Sequence, residues 1–146
     1  MPKTIFVVDD NDTNLSTAEA ALEGQHQMVT LPSASAMFEL LEDLTPDLIL
    51  LDIEMPEMDG FEALQQLKAN ALYADIPVIF LTSRSDTAAE VRGFEMGVVD
   101  FITKPFSVPV LQNRIRNHLY IDNLIRDLAA SREQYRTIYN NAGMGI

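Results

Sequence analysis

The sequence predicts an α/β fold built around a parallel β-sheet. Short runs of aliphatic and β-branched residues alternate with longer stretches in which apolar residues recur at helical spacing. The short runs are nearly continuous, which is typical of strands covered on both faces of a sheet. They occupy residues 4–8, 28–31, 47–51, 77–81 and 98–102. Five strands separated by helices favour a parallel sheet with right-handed crossovers.

Five helices are predicted between and after these strands. The first three cover residues 14–22, 35–44 and 61–67. The fourth begins after Asp86, a residue type that caps helix N-termini well, and the fifth begins after Pro109. Gly24 and Gly97 stand where the first and fourth helices are expected to stop.

Length, composition and charge narrow the class of protein. The chain has 146 residues, which favours one domain with an additional segment. It contains no cysteine and two distant histidines, His26 and His118, so we expect neither disulfides nor a zinc site. The net charge of −12 argues against direct contact with nucleic acid or anionic membranes. Without a signal peptide or a long apolar run, a cytoplasmic location is expected.

Polar residues follow four of the five strands, at one edge of the predicted sheet. Each of them alone is more often a turn residue, but in a parallel sheet their strand ends meet. Converging carboxylates repel one another, and a hard cation such as Mg²⁺ or Mn²⁺ relieves that repulsion. With such a cation and a lysine offsetting charge, the central acid can attack a phosphoryl group and become an acyl phosphate. The residues are Asp9 and Asp10 after the first strand, Asp52 after the third, Thr82 after the fourth and Lys104 after the fifth.

Four blocks of the sequence resemble the response-regulator receiver domain of two-component signalling. They are VVDDND (7–12), LILLDIEMPEMDG (48–60), VIFLTS (78–83) and VVDFITKPF (98–106). The resemblance covers roughly residues 3–119. It implies a flavodoxin-like, doubly wound sheet of strand order 2-1-3-4-5. It also implies phosphorylation by a histidine kinase or a phosphotransfer protein.

The resemblance assigns roles at the phosphorylation site. Asp52 is implied as the phosphoacceptor. Asp9 and Asp10 are implied to hold Mg²⁺ together with Asp52, and the backbone carbonyl of Glu54 completes the protein ligands. Lys104 is implied as the cation that contacts the phosphoryl group.

The resemblance also implies a conformational switch. Thr82 is its hydroxyl and Phe101 its aromatic residue, and a cis peptide is implied between Lys104 and Pro105. Phosphorylation adds charge and acceptor oxygens, to which Thr82 can donate a hydrogen bond. Phe101 then fills the space that Thr82 leaves, and the surface of the fourth helix, fifth strand and fifth helix changes. The alternative is that Phe101 is a core aromatic residue with no role in switching.

Two variable positions near the site carry opposite charges. Glu54 lies two residues after Asp52, and Arg84 lies two residues after Thr82. We hypothesise that this pair crosses the mouth of the site and lengthens the phosphoryl lifetime by restricting water. An exposed pair without such an effect is the alternative.

The C-terminal segment predicts an extended helix. We expect the receiver at 1–120, a connector helix at 121–136 and, at 137–146, the start of a further domain. In the connector, residues at four- and three-residue steps form a heptad-like seam, which favours a coiled coil and a homodimer. Packing of this helix against its own domain is the alternative. The seam consists of Ile121, Ile125, Leu128, Arg132 and Tyr135. The last residues, REQYRTIYNNAGMGI, resemble the opening of a PAS domain.

Two other classes of protein stay open. A Mg²⁺-dependent phosphohydrolase also uses an Asp nucleophile after a parallel strand, but it requires a second Asp where this chain has Glu54. A pseudo-receiver that only docks to partners would not need the acids, Thr82 and Lys104. We therefore expect a phosphoacceptor in a response regulator and not an enzyme, apart from its own phosphorylation and dephosphorylation.

Overall fold

A five-stranded parallel sheet in the order β2-β1-β3-β4-β5 forms the centre of the molecule. The computed structural model describes residues 2–83 and 87–144, with side chains up to Arg132. The predicted α/β class, strand order and extended C-terminal helix are confirmed. The elements are β1 (Thr4–Val8), α1 (Asp12–Ala21), β2 (Gln27–Leu31), α2 (Ala34–Leu41), β3 (Leu48–Asp52), α3 (Gly60–Ala69), β4 (Val78–Thr82), α4 (Thr87–Met96), β5 (Asp100–Thr103) and α5 (Val108–Met144).

The central strand β3 explains why the apolar runs are continuous. Its side chains alternate between the two faces of the sheet, as the pleat requires. Ile49 and Leu51 pack in the cluster with α2 and α3, whereas Leu48 and Leu50 pack in the cluster with α1 and α5. All four residues are fully buried. Helices therefore cover both faces, and neither face of β3 has room for a polar residue before the strand ends.

The strand boundaries differ from the predicted ones in a way that matters for the site. β3 and β4 each begin and end one residue later than predicted, so that Asp52 and Thr82 are the last residues of their strands. Asp52 pairs with Leu81 in the ladder, and the Ile53 N–H still donates to the Leu81 carbonyl at 3.1 Å. Ladder pairing therefore fixes the backbone of Asp52.

The predicted start of β5 at residue 98 is wrong. The Val98 N–H donates to the Gly93 carbonyl at 3.0 Å, which keeps Val98 in the turn that ends α4. The strand begins only at Asp100. The hydrophobicity of Val98 therefore reflects burial against α4 rather than strand pairing, whereas Val99 is 37% exposed and its N–H donates to the Val78 carbonyl at 2.8 Å.

Side-chain caps set the starts of the first three helices. These helices begin one or two residues before the predicted positions, because Asn11, Ser33 and Asp59 each accept a hydrogen bond from the amide three residues on. α5 also begins before Pro109, which stands in its first turn, where proline is well tolerated. The predicted cap Asp86 lies outside the described residues.

Helix α5 continues well beyond the body of the domain. Leu111, Ile115 and Leu119 are buried in the cluster beneath the sheet. After Leu119 the apolar side chains that the structure describes are exposed, while the backbone stays helical through the predicted connector and as far as Met144. None of the described helices is long and apolar enough to cross a membrane. The PAS-like interpretation of residues 137–146 stays a prediction.

A strained turn lies between β3 and α3. The Met58 N–H donates to the Pro56 carbonyl at 2.8 Å, and Glu57 between them has a φ of 70°. This is the rarer and more strained form of γ-turn, because a side chain is disfavoured at positive φ.

Replacing Glu57 by glycine is expected to stabilise the fold. Because glycine adopts positive φ without a steric penalty, Glu57→Gly should raise the free energy of unfolding by about 1 kcal/mol in urea titrations. The matched control is Glu57→Ala, which removes the charge and keeps the strained conformation. An equal gain in both variants would attribute the effect to charge instead.

Candidate functional site

Three carboxylates meet at the carboxyl edge of the sheet. Asp9 follows β1 and Asp52 ends β3, two strands that are neighbours in the sheet. One oxygen from each of Asp9, Asp10 and Asp52 lies within 4.8 Å of the others. Asp9 and Asp52 are buried, whereas Asp10 is exposed. The structure thus brings together the three acids that the sequence placed at this edge.

Lys104 provides a positive charge for this cluster. Its Nζ lies 3.0 Å from Asp52 Oδ1 and 3.3 Å from Asp9 Oδ2. The Lys104 N–H donates to the Thr82 carbonyl at 2.7 Å, which ties the loop after β5 to the end of β4. The peptide between Lys104 and Pro105 is cis, as the resemblance implied.

Asn14 is a site residue that the sequence did not reveal. Its Nδ2 donates to Asp9 Oδ2 at 3.1 Å, while the Asn11 N–H donates to Asp9 Oδ1 at 2.9 Å. Both oxygens of Asp9 are therefore held in place by the start of α1. The available signal was the position of Asn14, five residues after Asp9 in the first turn of a helix whose cap lies beside the acids.

The neighbours of Asp52 compensate the charge of its carboxylate only in part. Oδ1 accepts hydrogen bonds from Lys104 and from the Glu54 N–H, the latter at 3.2 Å. Oδ2 is, in the described part of the chain, the one buried side-chain oxygen or nitrogen without a hydrogen-bond partner. Burial raises the pKa of Asp52 to about 7; the Lys104 hydrogen bond opposes this rise and the negative charge of Asp9 adds to it.

The pKa of Lys104 responds to the same neighbours. Burial lowers it, but the hydrogen bond and charge of Asp52, followed by those of Asp9, outweigh burial and raise it above its ordinary value. Lys104 therefore stays a cation over the whole neutral range. One ammonium group faces three carboxylates, so the cluster keeps an excess of negative charge.

The residues at this edge fit a hard divalent cation. Their donors are carboxylate oxygens, two of the three side chains are buried, and Asp52 Oδ2 is buried without a hydrogen-bond partner. Oxygen donors with excess negative charge select Mg²⁺ or Mn²⁺ over softer metals. The Glu54 N–H contacts Asp52, and the predicted role of the Glu54 carbonyl as a ligand stays a prediction.

The predicted switch residues lie on the two strands that follow β3 in the sheet. Thr82 is largely buried at the end of β4, between the strand that carries Asp52 and the strand that leads to Lys104. Phe101 lies in β5 opposite Phe80. Their roles in switching stay predictions. Arg84 lies outside the described residues, so its pairing with Glu54 also stays a prediction.

Gly60 holds the backbone of Asp52 close to helix α3. A Cβ atom at Gly60 would lie 2.6 Å from the Asp52 carbonyl oxygen and 2.8 Å from Ile53 Cα. The Gly60 N–H donates to the Ile53 carbonyl at 2.8 Å. The start of α3 can pack against the end of β3 only because residue 60 has no side chain.

Gly60→Ala is expected to destabilise the fold and slow phosphoryl uptake. Two backbone segments must separate to admit the methyl group, at a cost of about 2 kcal/mol in urea titrations. The control is Gly24→Ala, where φ is 82° but no atom lies within 4 Å of the added Cβ. That variant should lose stability while its uptake rate, followed by intact mass, stays unchanged. Equal uptake in both variants would contradict the role of Gly60.

This architecture defines a class of protein: an α/β domain that presents an acidic cluster and a lysine at the carboxyl edge of a 2-1-3-4-5 sheet, as phosphoacceptor domains do. The sequence model of the response regulator receiver domain matches residues 5–116. The chain therefore belongs to the receiver domain family of two-component systems.

Individual relatives agree with this family. A probable cyclic di-GMP phosphodiesterase of Vibrio cholerae is 41% identical over 116 residues, covering 80% of this chain and 26% of that protein. The response regulator PleD of Caulobacter vibrioides is 37% identical over 140 residues, covering 90% and 30% respectively. A putative response regulator from Chloroflexus aurantiacus has a crystal structure with a TM-score of 0.78 and 29% identity, covering 82% of this chain and 99% of that one. The chain spans less than a third of the two longer relatives.

Proposed function

We propose that Asp52 accepts a phosphoryl group from a phosphohistidine of a histidine kinase or phosphotransfer protein. The observation that carries this proposal is the convergence of Asp52, Asp9, Asp10 and Lys104 at one sheet edge. An Asp52 oxygen attacks phosphorus, an O–P bond forms and the P–N bond breaks. The bonding electron pair leaves with the imidazole nitrogen.

The chain's own residues prepare this transfer. Asn14 and Asn11 fix Asp9, and Lys104 holds Asp52 in a single orientation. When Mg²⁺ or Mn²⁺ is bound by Asp9, Asp10, Asp52 and the Glu54 carbonyl, it supplies positive charge that keeps Asp52 ionised. Lys104 then contacts the transferred phosphoryl oxygens, where its charge stabilises the transition state.

We further propose that Thr82 and Phe101 transmit the modification. Thr82 donates a hydrogen bond to the phosphoryl group from its position beside Asp52, and Phe101 moves into the space released. The surface formed by α4, β5 and α5 changes and controls a following module. The chain itself has no chemistry beyond gaining and losing its phosphoryl group.

Incubation with acetyl phosphate and Mg²⁺, followed by intact-mass measurement, tests the phosphoacceptor. A phosphoryl adduct is expected in the wild type and in Asp59→Asn, which keeps the cap of α3. The adduct should be missing in Asp52→Asn. Turnover of added phosphoesters would favour a phosphohydrolase, and an unmodified wild type would favour a docking module.

The exposed part of α5 supports a homodimer. Ile121, Ile125 and Leu128 are 45%, 61% and 60% exposed. This is an unusually large exposed apolar surface for one helix. Their four- and three-residue steps form one seam, which a second copy of the same helix complements in a parallel coiled coil. We propose that residues 121–136 connect the receiver at 1–120 to a PAS-like module that begins at residue 137.

Sedimentation equilibrium tests this interface. Ile125→Glu places a charge in the seam and is expected to convert a dimer to a monomer. Leu72→Glu is the matched control, because Leu72 is 79% exposed but lies in the loop after α3. A dimer that survives Ile125→Glu, or dissociates equally in Leu72→Glu, would contradict a dimer through α5.

A further inference from the structure

Gly93 lies on the inner face of α4, and the backbone conformation there does not require glycine. It is buried and does not have the positive φ that Gly24 and Gly97 show. Glycine inside a helix weakens it relative to alanine. The reason for glycine at this position must therefore be space rather than backbone conformation.

The space around Gly93 is filled by an aromatic ring. A Cβ atom at residue 93 would lie 2.7 Å from Phe101 Cζ, 3.1 Å from Val98 Cγ1 and 3.2 Å from Phe80 Cδ2. The first of these distances is shorter than real Cβ contacts allow. Any side chain at residue 93 is therefore incompatible with the observed position of the Phe101 ring.

Two further aromatic side chains contact this half-buried ring. The centroids of Phe101 and Phe80 are 5.7 Å apart, and those of Phe101 and Phe94 are 5.1 Å apart, both edge to face. Phe80 belongs to β4 and Phe94 to α4, so the ring lies between the sheet and the helix. A shift of this ring therefore changes its contacts with both the sheet and α4.

We propose that Gly93 is a positioning residue for the switch. Because residue 93 has no side chain, Phe101 can lie beneath α4. A movement of the Phe101 ring therefore changes the position of α4. The inference rests on the proposed role of Phe101 as the switch aromatic. It adds the contact through which that ring acts on the helix. Because the Gly93 contact is separate from the carboxylate cluster, it affects the response of α4 and not the uptake of the phosphoryl group.

Hydrogen exchange of Gly93→Ala tests the contact in the unphosphorylated protein. The clash is expected to loosen α4 and raise the exchange rate of peptides covering residues 87–101 by about ten-fold, the order expected from overpacking a core. Helix propensity alone predicts the opposite sign, because alanine stabilises helices. Glu95→Ala, on the exposed face of α4, is the control for propensity and should exchange no faster than the wild type.

A double variant separates the ring contact from other effects. Leucine at residue 101 removes the shortest contact, and only the contacts with Val98 and Phe80 would remain. Gly93→Ala should therefore raise exchange much less in the Phe101→Leu background than in the wild type. Slower or unchanged exchange in Gly93→Ala, or an increase in the Phe101→Leu background as large as that in the wild type, would overturn the proposal. Neither comparison requires phosphorylation, so both remain decisive if Asp52 fails to accept a phosphoryl group.

The phosphorylated state provides the second readout. After acetyl phosphate treatment, wild type should change its exchange in residues 87–101, whereas Gly93→Ala should show less than half of that change at equal adduct mass. A full response in Gly93→Ala would contradict coupling through this contact. A missing adduct in the wild type would instead reject the proposed phosphoacceptor.

Discussion

In metal-free buffer at about pH 8, Asp52→Asn is expected to be more stable than the wild type. Burial raises the folded-state pKa of Asp52 from 3.8 to about 7. The folded chain therefore binds this proton more tightly than the unfolded chain does. Ionising Asp52 lowers stability progressively as pH rises from about 4 to about 7, and the whole loss is present above that range.

The size of this effect is on the order of a few kcal/mol, because one pKa unit corresponds to about 1.4 kcal/mol. Urea titrations in EDTA at several pH values measure it. The two proteins should be equally stable near pH 4 and diverge as pH rises. Asp59→Asn, which preserves a helix cap, should match the wild type throughout. Equal stability of Asp52→Asn and wild type at about pH 8 would show that Lys104 fully compensates the carboxylate.

Added Mg²⁺ should reduce the difference in stability between Asp52→Asn and the wild type. A cation that binds the folded state stabilises it by an amount that grows with the logarithm of its concentration relative to its Kd, and wild type keeps the full set of three carboxylates. The gap between Asp52→Asn and wild type is therefore expected to narrow as Mg²⁺ is titrated. A gap that is independent of Mg²⁺ would contradict metal binding by Asp52.

Lys104→Met is expected to be less stable than the wild type, in contrast to Asp52→Asn. The pKa of Lys104 is raised, so its contribution is fully present below its unfolded pKa and is lost only in strongly alkaline solution. Removing the ammonium leaves Asp9 and Asp52 buried with less compensation. At about pH 9 protonation of Asp52 relieves little of the repulsion between these two carboxylates. The free energy of unfolding is therefore expected to fall by an amount on the order of 3 kcal/mol in EDTA.

The same variant should bind Mg²⁺ more tightly while accepting phosphoryl groups more slowly. Lys104 Nζ and a metal compete for the Asp9 and Asp52 oxygens, so its removal favours the cation. Loss of a group that stabilises transition-state charge lowers the uptake rate by about 100-fold. Isothermal calorimetry and intact-mass kinetics measure the two effects. Lys3→Met, which removes a half-buried lysine that donates to Asn123, is the control, and weaker Mg²⁺ binding in Lys104→Met would contradict the competition.

The sequence allowed the acidic cluster to be predicted because a parallel sheet brings the carboxyl ends of its strands to one edge. Asp9 and Asp52 follow buried strands, and that pattern is visible without coordinates. Asn14 was missed because its contact with Asp9 depends on the path of the loop between β1 and α1. A helical pattern gives the face of a residue and does not give the direction in which a polar side chain turns at a helix start.

Close approaches of the backbone were also invisible in the sequence. Gly60 and Gly93 looked like ordinary loop and helix residues, yet a Cβ at either would meet another group at 2.6–2.7 Å. Such contacts depend on how two elements pack together, and hydrophobic periodicity gives no distances. The seam of α5 is the converse case, since its periodicity was clear while the second copy that we propose to cover it stays a prediction.

The site is assembled from residues that are far apart along the chain. Lys104 contacts Asp9 across 95 residues and Asp52 across 52 residues. No partly folded chain that lacks the last strand and its following loop can present this arrangement. We therefore expect phosphoryl transfer to Asp52 only in molecules in which β5 and the loop that carries Lys104 have folded into place.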